Sequence, residues 1–265
     1  DLEHAKTLVT PKTRAIVLVH YGGVPANPEG FARLAEELGL VLVEDNAHGL
    51  GGTSNGKKLG TFGAMSTLSF HETKNITCGE GGALVINDPR YIERAEILRE
   101  KGTDRSRFFR GQVDKYTWRD LGSSWVLSDI LAAVLYAQLS DFDKIQTRRM
   151  RLWNMYRTEL ESWAGNGNFG LAGQNTGTGH LFYVLLRDGQ TQFDFIKHLE
   201  KKAIGSVFHY QPLHLSSFAR KFPGSKDLLV TEEIAASLVR LPLWPAMDDR
   251  DLTAVVGRVK SYPPS

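Results

Sequence analysis

The sequence predicts an α/β protein, with a mostly parallel sheet flanked by helices and then a smaller α+β domain. Three observations carry this. Apolar runs alternate with helical patterns through the first half of the chain. Those runs are continuous, as in strands covered on both faces. Past a Gly- and Asn-rich stretch at residues 165–179 the elements become shorter and mixed. A large domain is therefore expected at residues 1–164 and a small one at residues 165–265.

The elements follow in order. "RAIVLVHYGG" is an apolar run ended by a Gly pair, and reads as a strand buried on both faces. "NPEGFARLAEELGL" reads as a helix, with Pro28 in its first turn and Gly39 as its stop. Phe31, Leu34, Ala35 and Leu38 form its apolar stripe. "LVLVED" is the next strand and ends at Asp45. Such strand–helix–strand units build doubly wound sheets. "AMSTLSF" and "GALVIND" are two further strands on either side of a polar turn that holds Lys74. "DPRYIERAEILREKG" is a helix capped by Asp88, with Pro89 in its first turn and Gly102 as its stop.

"TDRSRFFRGQVDKYTWRDLGSS" has no clean period and reads as a long polar and aromatic loop. The following segment, residues 127–163, is one bent helix or two. In the small domain "LFYVLL" and "GSVFHY" read as strands, and "QFDFIKHLEKKA" and "TEEIAASLVRL" as helices.

Composition narrows the function. The 265 residues are 42% hydrophobic and 23% charged, with 32 basic and 30 acidic side chains. A net charge of +2 makes no general case for nucleic-acid or membrane-surface binding. The single cysteine, Cys78, rules out a disulfide framework and a multi-cysteine metal site, so no metal is expected. A reducing cytoplasmic setting is the default. No apolar run reaches the ~18 residues of a membrane span. Cys78 reads as a small buried filler.

Two residues carry the chemistry. Asp45 ends an apolar strand, in "VEDNAHG". Carboxylates at the carboxyl ends of parallel strands face the crevice where α/β proteins bind ligands. Taken alone, Asp45 reads as a helix cap or a turn residue. Lys74, taken alone, reads as a solvated turn lysine. Together they describe a crevice with one carboxylate and one lysine, which suits pyridoxal phosphate. The lysine forms the Schiff base, and the carboxylate keeps the pyridine nitrogen protonated. Ser69 lies five residues before the lysine, placed for the cofactor phosphate; its plain reading is an ordinary strand serine.

"VEDNAHG", "SFHETKN" and "GEGGALV", in this order, resemble the DegT/DnrJ/EryC1/StrS sugar aminotransferases. These are fold-type I pyridoxal-phosphate enzymes acting on nucleotide-linked keto sugars. The resemblance runs from about Thr10 to the C-terminus. It implies that Lys74 is the Schiff-base lysine, that Asp45 is the pyridine partner, that His48 lies beside the ring and that Ser69 binds the phosphate. Gly79, Gly81 and Gly82 look like the turn that returns the chain to the sheet, where glycine tolerates positive φ. The G-x-x-x-x-G-K-[ST] spacing of a P-loop is not present there.

"REKGTDRSRFFRGQVDKYTWRDLGSSWVLSD" is similar to one subgroup, the dTDP-4-amino-4,6-dideoxygalactose transaminases. Those enzymes move an amino group from glutamate to C4 of dTDP-4-keto-6-deoxyglucose. The subgroup implies synthesis of a surface polysaccharide such as enterobacterial common antigen or lipopolysaccharide. Many relatives have Asn where Ser124 stands, reaching the phosphate of the other subunit's cofactor, and the resemblance gives Ser124 that role. "SVFHYQPLH" resembles the segment bordering the sugar-nucleotide pocket, which makes His209, Tyr210 and His214 candidates for substrate contacts. Phe108, Phe109 and Arg110 are placed to meet the nucleotide or a partner subunit, or to pack on the surface. A homodimer with shared sites is implied.

Family members carry a segment before this first strand. It supplies a glycine-containing turn for the phosphate and an aromatic residue stacked on the ring. The expectation is that this N-terminal part is absent here and that the chain alone binds the cofactor weakly or not at all. The alternative function is accordingly an inactive family member serving as a binding or assembly partner. A nucleotide-dependent dehydrogenase would need G-x-G-x-x-G after the first strand, which "VHYGGVPANPEG" lacks. A related dehydratase would have histidine at the position of Lys74.

Overall fold

The computed structural model describes residues 1–165, 170–171, 177–222 and 228–263. Much of the stretch read as a linker thus lies outside the described residues. The chain divides into two compact units, Asp1–Phe142 and Asp143–Ser265.

In the first unit α1 (Leu2–Leu8) leads to β1 (Ala15–Val19), α2 (Pro28–Glu37) and β2 (Val41–Asp45). A small hairpin follows, β3 (Thr53–Ser54) and β4 (Lys57–Lys58), and then β5 (Met65–Ser69) and β6 (Gly82–Ile86). The sheet order is β1-β2-β5-β6. The first three strands are parallel, with Val19 opposite Asp45 and Asp45 opposite Thr67, and β6 is antiparallel to β5. Helix α2 begins as its residues dictate: the Asn27 side chain accepts the Gly30 N–H, and Pro28 occupies the first turn. Its inner face buries Phe31, Leu34 and Ala35 against Leu18 and Leu42. Each large apolar side chain so buried contributes about 1.5–3 kcal/mol.

One expectation fails in β1. Only Leu18 of its central residues is buried; Val17 and Val19 are 64% and 48% exposed. The strand lies at the end of the sheet order, and α2 covers one face of it.

Helices α3 (Ile92–Arg99), α4 (Arg105–Phe109) and α5 (Asp129–Ser140) complete the unit. The segment read as an irregular loop therefore holds a short helix. It is also tied down by bridges between Glu100 and Ser124 and between Thr103 and Trp118.

The second unit contains α6 (Phe142–Gly165, from Asp143 onward), β7 (Gly170–Leu171), β8 (Phe182–Leu185), α7 (Gly189–Glu200) and β9 (Val207–Phe208). It ends with α8 (Leu229–Ser237), β10 (Leu238–Leu241) and α9 (Asp249–Lys260). The sheet order is β7-β8-β10-β9, with antiparallel neighbours. The boundary differs from the one expected near residue 165. Helix α6 places Leu152, Trp153, Tyr156 and Leu160 in the core of this unit, so it packs with the C-terminal elements. "TEEIAASLVRL" is also not helical throughout. Its last four residues form β10, whose side chains Leu238, Val239 and Leu241 are buried in the sheet. No helix among the described residues is long and apolar enough to cross a membrane.

Candidate functional site

Asp45 ends β2, and Lys74 lies in the turn that follows β5, the parallel neighbour of β2. Asp45 closes β2, and its backbone carbonyl accepts the His20 N–H while the next residue, Asn46, donates to Thr67 in β5. The strands therefore stay paired to their carboxyl ends. The half-buried Asp45 carboxylate accepts the Ala47 N–H at 3.1 Å and the Thr67 hydroxyl at 3.4 Å through Oδ1. This is the turn-stabilising use of an aspartate at a strand end.

Beyond β5 the chain makes a closed excursion. Phe70 N–H donates to Gly81, Cys78 N–H to Phe70, and Lys74 N–H to His71. Lys74 sits half-buried in this turn, followed by buried Asn75 and Ile76. His71 braces the turn locally: Thr73 N–H donates to its Nδ1, and its Nε2 lies 3.6 Å from Glu80. Ser69 accepts the His71 N–H at 3.4 Å.

The glycine cluster works differently from the expectation. Only Gly79 takes a positive φ, at 89°. A Cβ on Gly81 would lie 2.6 Å from Cys78 Sγ, and one on Gly82 3.0 Å from the Leu68 carbonyl. Close packing requires these two glycines. Cys78 is 4% exposed, with its thiol directed to the carbonyls of Phe70 and Glu80.

His48 follows Asp45 on the same turn. Its Nδ1 accepts the Gly22 N–H at 3.1 Å, and the Tyr21 ring meets it edge-on at 5.8 Å. Glu44 and His20, next to these residues in the chain, were not among the expected site residues. Both side chains are completely buried. The Glu44 carboxylate accepts from His20 Nε2 (3.0 Å) and from the N–H groups of Gly60 (2.8 Å), Phe62 (2.7 Å) and Gly63 (2.8 Å). Burial pushes its pKa up, but the bonds from His20, Gly63, Gly60 and Phe62 outweigh that and hold it below the usual carboxylate range. A charged residue inside "LVLVED" was the available signal, because a buried glutamate needs partners.

The other expected residues lie elsewhere. Ser124 is exposed on the segment after α4, and its neighbour Ser123 bonds the end of α3. Leu127, three residues on, approaches the space beside Gly81. Arg110 is held by a bidentate pair with Glu96, and Phe108 packs against Phe109 and Tyr116. His209, Tyr210 and His214 belong to the second unit. There His209 is buried under the 60% exposed Tyr210, and His214 Nε2 pairs with Glu232 at 2.9 Å.

A lysine and a carboxylate at adjacent strand ends of an α/β sheet fit pyridoxal phosphate chemically: one can hold an aldehyde, the other a protonated ring nitrogen. That is the class of protein the fold and the site define. Comparison with known proteins narrows it. Residues 1–260 match the DegT/DnrJ/EryC1/StrS aminotransferase family, and the chain belongs to that family. The uncharacterized protein MJ1066 of Methanocaldococcus jannaschii is 32% identical over 268 residues, spanning 98% of this chain and 69% of that protein. DesV of S. venezuelae, solved with a ketimine intermediate, superposes with a TM-score of 0.86 at 30% identity, covering 99% of this chain and 68% of its own. DesI, solved in the presence of its TDP-sugar product, gives 0.84 at 26% identity, covering 98% and 65%. Aminotransferases of this family use pyridoxal phosphate.

Proposed function

We propose that this protein is a pyridoxal-phosphate-dependent transaminase that moves an amino group from glutamate to C4 of a dTDP-linked 4-keto-6-deoxy sugar. The observation that carries the reading is the position of Asp45 at the carboxyl end of β2 and of Lys74 in the turn leaving the carboxyl end of the adjacent parallel strand β5. Likeness to DesI, solved in the presence of its TDP-sugar product, supports a nucleotide-sugar substrate.

When bound, pyridoxal phosphate supplies an electron sink and carries the amino group between two half-reactions. Lys74 would hold the cofactor through its amine. With its amine free, Lys74 would take the Cα proton of the amino-acid substrate as base and give a proton back as acid. Asp45 holds a proton at the pyridine nitrogen, His48 flanks the ring, and the Ser69 hydroxyl binds the phosphate. Ser124 serves the phosphate of the other subunit's cofactor, and His209, Tyr210 and His214 border the sugar nucleotide. The homodimer this requires is supported by the exposed apolar residues Trp125, Ile130 and Tyr136, which are 73%, 79% and 76% accessible.

The test is an absorption spectrum of the purified chain with added pyridoxal phosphate, before and after borohydride, against Lys74→Ala. A visible band that borohydride fixes covalently to Lys74, and that Lys74→Ala abolishes, is the expected result. A folded chain that gains no band even with pyridoxal phosphate in large excess overturns the reading, and leaves a binding or assembly partner as the function.

A further inference from the structure

Glu44, just before the end of β2, and His20, just after the end of β1, are buried beside the candidate site. His20 follows β1, and its Nδ1 accepts the Ala26 N–H at 3.3 Å. A ring nitrogen that accepts carries no proton, so His20 is neutral with its proton on Nε2, where it donates to Glu44. The Glu44 carboxylate is therefore the anionic member of the pair, and its three further donors are backbone N–H groups. The loop supplying them is built to approach closely. A Cβ on Gly63 would lie 2.5 Å from the Leu42 carbonyl, and one on Gly60 2.7 Å from Ser66 Oγ.

The same arrangement fixes the turn that starts at His20. Gly22 and Gly23 take φ values of 64° and 80°, which aim the Gly22 N–H at His48 Nδ1. With Nδ1 accepting, a neutral His48 carries its proton on Nε2. The identity of the proton-bearing nitrogen decides whether His48 offers a donor or an acceptor to whatever its Nε2 meets.

We propose that Glu44 and His20 are positioning residues that hold the His20–Gly23 turn against His48 and so set His48 as an Nε2–H donor. The role rests on the reading of His48 as a neighbour of the cofactor ring. It makes the buried ion a device for orientation, acting through the turn whose Gly22 N–H meets His48.

The experiment is a long-range proton–nitrogen correlation spectrum of the histidine rings in the full chain, without cofactor, with His48 and His20 assigned by His48→Gln and His20→Gln. The wild type is expected to show His48 in the single Nε2–H form. His20→Phe, which fits the site but removes the donor to Glu44, is expected to lose that single form and give mixed tautomers. His20→Gln keeps an N–H donor for Glu44 and is expected to restore the wild-type pattern. If His20→Phe lowers the melting temperature but leaves His48 wholly Nε2–H, the positioning role is overturned and the pair is merely structural. If His20→Phe fails to fold, Glu44→Gln is read in the same way. Pyridoxal-phosphate binding by His48→Gln is measured alongside. Unchanged binding there would refute the ring-side reading of His48, while the tautomer result still decides whether Glu44 and His20 position it.

Discussion

The two units bury polar groups to different ends. In the first, Glu44 and His20 are completely buried within a network that ties the loop of residues 60–63 to the carboxyl ends of β1 and β2. Its apolar core is small, built on Leu18, Phe31, Leu34, Ala35 and Leu42. In the second, Leu152, Trp153, Tyr156, Phe182 and their neighbours form an extensive apolar core. Its buried cation, Arg149, donates to the carbonyls of Gly179, His180 and Leu243, and burial lowers its pKa to about 10, which leaves it charged at neutral pH. There the polar group ties down chain ends around the core, whereas in the first unit it shapes the site. Truncation in the second unit should therefore cost mainly stability, and loss of the Glu44 network should cost site geometry as well.

The largest effect expected is from Phe182→Ala. Phe182 is fully buried, stacked on Tyr156 at 5.0 Å and set edge-on to Trp153 at 5.4 Å. Removing the ring leaves a cavity among side chains already held by bonds, such as Tyr156 to the Pro242 carbonyl. A loss of about 3–5 kcal/mol is expected by denaturant titration. Fluorescence of the buried Trp153 and Trp163 reports it. A loss below ~1 kcal/mol would mean that the core repacks, and the contrast between the units would weaken.

Glu44→Gln comes next. The amide keeps one acceptor oxygen but turns an N–H toward backbone donors, so about 2–3 kcal/mol is expected at neutral pH. The pH dependence gives the sharper reading. The folded value of Glu44 lies below the usual range, so its contribution is complete above the ordinary glutamate pKa of about 4.3. It is lost as pH falls through the folded value. The stability gap between wild type and Glu44→Gln should therefore be constant at neutral pH and shrink on acidification. A gap independent of pH would show that Glu44 acts through shape alone.

These residues also show what was legible in the sequence. The strand–helix–strand start, the strands on either side of Lys74 and the strand-end position of Asp45 followed from apolar runs and their stops, which local chemistry dictates. The failures had a common cause. β1 reads as doubly covered because Val17 and Val19 are apolar, and nothing local reveals which faces are covered. "SLVRL" continues a helical pattern, but pairing with β8 makes it a strand. The sequence of α6 reads as helical, yet its allegiance to the second unit depends on contacts with β8 and α9 distant in sequence. Glu44 was hidden by Asp45 beside it: both are carboxylates, and only strand alternation separates the one that faces inward.

The smallest effect completes the contrast. Asp249 accepts a paired bond from Arg151, and Arg148 lies 3.5 Å from it, which lowers the Asp249 pKa and raises that of Arg151. These groups are about half exposed, where solvent screening and side-chain entropy cancel most of the attraction. Asp249→Asn should leave the melting temperature unchanged within error, at low and at high salt. Glu44 has fewer charged partners than Asp249 and should matter far more, because its completely buried carboxylate accepts four hydrogen bonds that an amide cannot fully replace. Equal effects from the two substitutions would mean that charge pairing, rather than burial with complete hydrogen bonding, governs the stability of this chain.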